Sequence, residues 1–146
     1  MSNQEHIIDA LKNVLADSYS LYLKTQNYHW NVEGPFFKPL HDMFEEQYND
    51  LALAIDDIAE LIRGLGDKAP GTFKAFQNIT SIKDGNESLL ANQMLEELVA
   101  DQDVMIKTLE AALHAAQKAD DEVIIGAVID RMTVHRKNKW MLKSSL

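Results

Sequence analysis

Four long segments of this chain place apolar residues at helical spacing, and no segment alternates apolar and polar residues as a half-buried strand would. In the second segment the apolar residues recur at steps of three and four, in the order Leu40, Phe44, Tyr48, Leu51, Ile55, Ile58 and Ile62. This pattern constrains the fold most, because a helix of that length needs other helices to cover its apolar face. The sequence therefore predicts an all-α protein.

The predicted helices are joined by a short, a long and a short connection. They span residues 4–30, 36–65, 87–118 and 121–143. Residues 66–86 are rich in turn formers, and only the stretch TFKAFQ within them is able to form a short helix. About 20 residues suffice to cross the length of a bundle, which leaves the second and third long helices parallel. We therefore expect a single domain, residues 1–146, with a ferritin-like four-helix bundle whose long crossover carries a short helix.

Charge and composition limit the classes of function. The chain has 23 acidic and 14 basic residues, a formal net charge of -9, and no cysteine. This charge argues against general coating of nucleic acid, which needs Lys and Arg to neutralise phosphates, and it favours cations. Without cysteine there are no disulfides or thiolate metal sites. No secretory signal or membrane-spanning apolar run is recognisable, so we expect a soluble cytoplasmic protein with no membrane partner.

A stripe of potential metal ligands lies beside the apolar face of the second predicted helix. At about 100° per residue, its members fall within one sector of about 100°: His41, Glu45, Asp56 and Glu60. These carboxylates lie beside core positions, where leaving a charge unpaired is costly. Imidazole and carboxylate ligands suit a divalent metal such as iron, zinc or manganese. The remaining acidic residues of the helix are interpreted as a solvated face: Asp42, Glu46, Asp50 and Asp57.

One copy of this helix cannot build the site. Glu45 and Asp56 are about 16 Å apart along the axis at about 1.5 Å per residue, whereas a metal lies about 2 Å from its ligands. The pairs 41 with 60 and 45 with 56 share the midpoint 50.5, so an antiparallel copy related by a two-fold axis brings the two halves together. His29, across the short turn, is predicted to be a third ligand. The other histidines are interpreted as surface or satisfied core residues: His6, His114 and His135.

The stretch YHWNVEGPFFKPLHDMFEEQY, followed by AIDDIAELIRGLG, resembles the Dps family, small ferritin-like proteins that protect bacteria during starvation and oxidative stress. The C-terminal HRKNKWMLKS also resembles the last helix of that family. The resemblance implies a hollow shell of twelve subunits with a di-iron ferroxidase centre at each two-fold interface. It assigns His29, His41 and Glu45 from one subunit and Asp56 and Glu60 from its partner as ligands. Larger ferritins place a di-iron site inside one bundle, but this sequence contains no Glu-x-x-His pair for it.

The reaction that the resemblance implies is oxidation of Fe(II), preferentially with hydrogen peroxide and more slowly with oxygen, followed by storage of ferric mineral in the shell. Iron is then the expected metal, and zinc or another divalent ion is a possible substitute. Trp30 lies beside His29 and is interpreted either as a trap for stray oxidising equivalents, as suggested for the family, or as a packing aromatic.

Two rival hypotheses belong to other classes of function. The first is a nucleoid DNA-binding protection protein with secondary metal binding; the stretch MSNQEH contains no Lys or Arg, so we expect no DNA condensation at neutral pH. The second is a helical scaffold whose interface histidines and carboxylates only bind zinc or form salt bridges.

Overall fold

The computed structural model describes residues 1–146 and contains five helices and no strand. The helices are α1 (Asn3–Asn31), α2 (Phe37–Gly64), α3 (Phe73–Ile79), α4 (Ala91–Lys118) and α5 (Glu122–Lys143). Four long helices, with the short α3 in the crossover, confirm the all-α fold predicted from the sequence. None of the helices combines the length and apolar character needed to cross a membrane.

The first two helices form an antiparallel hairpin. A capping box begins α1: the Ser2 side chain accepts a hydrogen bond from the Glu5 backbone N–H at 3.1 Å, and the Glu5 carboxylate accepts one from the Ser2 N–H at 2.9 Å. Between α1 and α2, Gly34 adopts a φ of +115° and accepts a hydrogen bond from the Phe37 N–H at 3.1 Å. This tight turn brings the end of α1 against the start of α2.

Helix α4, the third of the four predicted long helices, begins at Ala91, later than the predicted start at residue 87. The Asn86 side chain accepts a hydrogen bond from the Ser88 N–H at 2.9 Å, and the Leu90 N–H donates to the Gln93 side chain at 2.9 Å. Because the Asn86 side chain offers the backbone an alternative to helical bonding, residues 87–90 remain a turn. The boundary is thus set by a local side-chain bond that apolar spacing does not report.

The core is one contiguous cluster of 27 buried residues drawn mainly from the four long helices. In these helices, α1 packs along α2, α4 packs along α5, and α1 also contacts α4. The predicted inward positions are buried, as shown by Leu15, Leu51, Leu98 and Val128, one from each long helix. The packing fixes α2 against a rigid frame and leaves one of its faces in solvent.

A buried carboxylate ties the crossover to the bundle. Asp17 in α1 is almost fully buried and accepts three hydrogen bonds. Their donors are the Thr80 hydroxyl at 2.7 Å, the Ser81 N–H at 2.6 Å and the Thr108 hydroxyl at 2.7 Å. Thr80 and Ser81 follow α3, and Thr108 lies in α4. Asp17, itself in α1, therefore holds the end of α3 against α1 and α4.

A second polar cluster anchors the crossover farther along α1. The buried Lys24 ammonium lies 2.9 Å from the Asp101 carboxylate and 3.3 Å from that of Glu97, to which the Tyr28 hydroxyl donates a hydrogen bond. Burial raises the pKa of Asp101, and Lys24 opposes that rise; burial and the Glu97 bond also raise the pKa of Tyr28 above its usual range. A Cβ at Gly85 would come within 3.1 Å of the Lys24 side chain, so the crossover backbone lies directly on this cluster.

Candidate metal centre

Two histidines meet at the end of the first hairpin. His29, near the end of α1, is 6% exposed, and His41, in the second turn of α2, is half-buried. Their rings stack with centroids 3.8 Å apart and an angle of 16° between the planes. The short turn at Gly34 brings the two rings together, as the sequence predicted for these residues.

The backbone determines which ring nitrogen of each histidine is free. The His29 Nδ1 lies 2.7 Å from the His41 carbonyl oxygen, and the His41 Nδ1 lies 2.7 Å from the His29 carbonyl oxygen. A carbonyl oxygen only accepts, so each Nδ1 must donate its N–H. In the neutral rings the two Nε2 atoms therefore keep their lone pairs. Metal-binding histidines commonly show this arrangement, in which a bond to one ring nitrogen orients the other.

Aromatic side chains hold the two imidazoles in place. The Phe37 ring stacks on His41 with centroids 4.9 Å apart, and the Tyr48 ring contacts His29 edge-on at 5.2 Å. Apolar spacing placed Tyr48 in the core stripe of α2, but it did not reveal this contact. In the sequence, the interval of seven residues from His41 to Tyr48 indicates that both lie on one face of the helix, and therefore that Tyr48 lies near the histidines.

The second half of the stripe is an exposed group of carboxylates farther along α2. Ligand oxygens of Asp56, Asp57 and Glu60 all lie within 4.8 Å of one another. None of these three residues takes part in an ion pair, and neither does the half-buried Glu45. All the ion pairs of the structure involve other acidic residues. Asp56 and Glu60 are thus close together, and neither the three grouped carboxylates nor the separate Glu45 has a cationic partner.

The two halves of the stripe do not meet within one chain. Because α2 is a single helix from Phe37 to Gly64, Glu45 and Asp56 remain about 16 Å apart along its axis at about 1.5 Å per residue. The carboxylate group accordingly contains neither histidine nor Glu45. The structure therefore gives a histidine half and a carboxylate half, each incomplete as a metal site.

Asp57 is exposed, as its interpretation as a solvated side chain predicted, and it also belongs to the carboxylate group because its side chain converges with those of Asp56 and Glu60. Asp50 differs from that interpretation. Asp50 lies 2.9 Å from the Arg131 guanidinium of α5 and lines an apolar cavity of about 250 Å³ that all four long helices border. That ion pair depends on tertiary packing. Asp42 instead pairs with Lys38 on the surface at 3.0 Å.

The other candidate residues lie apart from the stripe. Trp30 is 60% exposed beside His29 and lines a surface groove between α1 and the crossover. His135 is fully buried in α5; its Nδ1 donates to the Gln102 side-chain oxygen at 2.7 Å and its Nε2 lies 3.2 Å from the Arg131 guanidinium. Burial, reinforced by Arg131, lowers the pKa of His135 to about 3. His135 is thus a satisfied core residue, as predicted.

Comparison with known proteins places this geometry in a family. The family model of the ferritin-like domain matches residues 8–146. The chain is 35% identical over 142 residues to DNA protection during starvation protein 2 of Bacillus anthracis, with 97% of each protein covered. The chain belongs to the Dps family. Among solved structures, Staphylococcus aureus Dps is similar with a TM-score of 0.95 and 36% identity, covering 100% of this chain and 98% of that one.

A second solved structure connects the Dps fold with metal chemistry. The Dps protein of Vibrio cholerae O1 is described as a member of a broad superfamily of ferritin-like diiron-carboxylate proteins. It is similar with a TM-score of 0.93 and 30% identity, covering 97% of this chain and 89% of that one. The Dps fold of this chain therefore confirms the ferritin-like bundle with one long crossover.

Proposed function

We propose that this Dps-family protein is a ferroxidase and iron store that oxidises Fe(II), preferentially with hydrogen peroxide, and holds the ferric mineral in a hollow dodecamer. Family membership supports a role in iron storage or DNA protection under stress. The finer proposal names the reaction, the metal-binding residues and the assembly. The cytoplasmic location and the organisation as a single domain, residues 1–146, stay predictions.

The observation that carries the proposal is the match between two incomplete half-sites on one helix. The free Nε2 atoms of His29 and His41 form one half, and the unpaired carboxylates of Asp56 and Glu60 form the other. Within α2, the pairs His41 with Glu60 and Glu45 with Asp56 are each arranged symmetrically about the midpoint 50.5. An antiparallel second copy, packed on the exposed face of α2, places the histidines of one subunit beside the carboxylates of its partner.

The resulting ligand set suits iron as a substrate. Imidazole nitrogens bind Fe(II) well, and carboxylate oxygens also accommodate the harder Fe(III). We assign His29, His41 and Glu45 from one subunit, with Asp56 and Glu60 from the partner, to the centre. Two Fe(II) ions together supply both electrons for one peroxide: 2 Fe(II) + H₂O₂ + 2 H⁺ gives 2 Fe(III) + 2 H₂O. Zinc, which has no redox chemistry, would bind as a competitor and inhibit.

Subunit mixing tests whether the centre is shared. We expect His41→Ala and Glu60→Ala proteins each to lose rapid ferric formation with peroxide. In a mixed dimer, the intact histidine half of one subunit faces the intact carboxylate half of the other. After disassembly and random reassembly, about half of the dimers are mixed and each has one intact site, so activity returns to about a quarter of the unmodified level. Ferric absorbance after stopped-flow mixing measures it.

The control is Asp42→Asn, which removes a carboxylate of the same helix that pairs with Lys38 on the surface. This variant should retain its ferroxidase rate. Native mass spectrometry checks that every sample forms the same assembly, with twelve subunits expected. No recovery in a mixed sample of normal mass would refute the shared centre, and undiminished rates in both single variants would refute the ligand assignment.

DNA binding is the competing candidate, favoured by the name of the Bacillus anthracis relative, a DNA protection protein. The formal charge of -9 opposes direct binding, because phosphate contacts require clustered cations. We propose that protection arises from removing iron and peroxide and that DNA binding is absent. A gel shift with plasmid at physiological salt, without divalent metal, decides between the two: a retarded band supports the DNA-binding candidate.

A further inference from the structure

An unbroken line of aromatic rings leaves the histidine pair along the contact between α1 and α2. Tyr48 contacts His29 at 5.2 Å between centroids, Tyr22 contacts Tyr48 at 5.8 Å, and Tyr19 contacts Tyr22 at 5.8 Å. The line ends where Phe76 of α3 stacks on Tyr19 at 4.9 Å. Three consecutive members of this line are tyrosines.

The sequence builds this line by a simple register. In the antiparallel hairpin, residue pairs that share the midpoint 35 lie opposite each other. His29 with His41 is one such pair, and Tyr22 with Tyr48, two turns away, is the other. Tyr19 extends the line by one more turn of α1. The hairpin therefore places the tyrosines in direct continuation of the histidines that form half of the proposed centre.

Tyrosine differs from the other ring residues of the line in its redox chemistry. A phenol can give up one electron together with its hydroxyl proton and later regain both, whereas phenylalanine has no hydroxyl proton to lose and does not pass on single electrons in this way. Tyr19, Tyr22 and Tyr48 are each half-buried. Tyr28, the remaining tyrosine, lies outside the line and donates its hydroxyl to Glu97.

We propose that Tyr48, Tyr22 and Tyr19 form a relay that removes one-electron oxidising equivalents from the metal centre. This inference rests on the proposed ferroxidase function, because the oxidant arises there when only one Fe(II) meets a peroxide. That reaction, Fe(II) + H₂O₂ giving Fe(III) + OH⁻ + •OH, leaves a radical that a second iron would otherwise have consumed. Tyr48 reduces it, giving a tyrosyl radical and water.

The radical then moves outward in steps that conserve electrons and protons. Tyr22 gives an electron and a proton to oxidised Tyr48, and Tyr19 does the same for oxidised Tyr22. Tyr19 lines the surface groove between α1 and the crossover, where a soluble reductant has access to it. Another Fe(II), the substrate itself, completes the cycle: tyrosyl radical + Fe(II) + H⁺ gives tyrosine + Fe(III). Two irons and one peroxide are consumed, and no radical is released.

The alternative is that these rings only pack the two helices together. Phenylalanine substitution separates the two interpretations, because it keeps the ring and removes the oxidisable hydroxyl. The experiment uses Tyr48→Phe and Tyr22→Phe, with two controls outside the line: Tyr28→Phe, and Asp42→Asn on the surface of α2. Each protein, labelled with ring-deuterated tyrosine, is mixed with peroxide and about one Fe(II) per subunit, frozen within milliseconds and examined by electron paramagnetic resonance. A spin trap in a parallel sample detects released hydroxyl radical.

We expect a tyrosyl signal, narrowed by deuteration, in the unmodified protein and in both controls. Tyr48→Phe should lose the signal and release more trapped hydroxyl radical, and Tyr22→Phe should confine the radical to Tyr48. Ferric absorbance from the same samples separates the two proposals. Ferric formation with no tyrosyl signal, or an unchanged signal and unchanged trapping in Tyr48→Phe, overturns the relay and leaves the ferroxidase standing; no ferric formation in the unmodified protein overturns both.

Discussion

Acidification should destabilise this fold through one buried histidine. His135 is fully buried between the Gln102 amide oxygen and the Arg131 guanidinium, and burial, with a contribution from Arg131, lowers its pKa to about 3. In the unfolded chain a histidine has a pKa of about 6.5. Between these two values the unfolded state binds a proton that the folded state does not, so stability falls as the pH falls.

The size of the effect follows from the two pKa values. With a pKa of about 6.5 in the unfolded chain and a neutral ring in the folded chain, moving from pH 7 to pH 5 removes about 2 kcal/mol of stability. The loss begins near pH 6.5 and continues until the pH approaches 3, where the folded ring also takes a proton. The new proton goes to Nε2, so the Arg131 contact must break before it is accommodated, whereas the Nδ1–H bond to Gln102 is retained.

Urea denaturation of metal-free protein at pH 7 and pH 5, at fixed subunit concentration, measures this loss. His135→Gln retains an N–H donor for Gln102 but does not titrate, so its drop between the two pH values should be about 2 kcal/mol smaller than that of the unmodified protein. His114→Gln at an exposed position of α4 is the control and should keep the unmodified pH dependence. Equal pH dependence in the unmodified and His135→Gln proteins would refute the reasoning.

Two further substitutions test how the local structure positions the site. Asp17→Ala removes the acceptor of three buried hydrogen bonds and should cost about 3 kcal/mol in urea denaturation, whereas the exposed Asp9→Ala should cost little; similar costs would contradict an anchoring role. Gly34→Ala forces a side chain into a φ of +115° and should cost at least about 1 kcal/mol, while Gly71→Ala, in open space, should be tolerated; thermal unfolding of the two variants gives the comparison.

Residue spacing predicted the long helices and the stripe on α2, because the direction of the side chains repeats regularly along a single helix. His41, Asp56 and Glu60 share one side of α2 for the same reason that Leu51 and Ile58 share another, since a helix fixes the angle between any two of its residues. The pairing of His29 with His41 needed only a short turn in addition. Such placements depend on the backbone, and the structure brings His29 to His41 and Asp56 to Glu60, while their role as metal ligands stays a prediction.

The features missed from the sequence depend on contacts between elements. The Asp50 and Arg131 ion pair joins helices that are far apart in the chain, and no spacing rule relates residues 50 and 131. The convergence of Asp57 on its neighbours depends on side-chain rotamers, which vary independently of helix periodicity. The tyrosine line also requires the register between α1 and α2, which becomes known only when the turn at Gly34 is fixed.

The separation of the two half-sites has a chemical consequence for the proposed centre. A lone subunit offers iron either two imidazoles or a group of carboxylates, so it cannot hold two Fe(II) ions close enough to deliver both electrons to one peroxide. In the proposed mechanism, paired oxidation is possible only after assembly, and the proposed shell would also contain the product. Assembly does not guarantee that both positions are filled, and a half-filled centre releases a radical. The proposed relay begins at Tyr48, which contacts His29 on the histidine half, and it would act in that case, giving the tyrosines of the hairpin a role that phenylalanines lack.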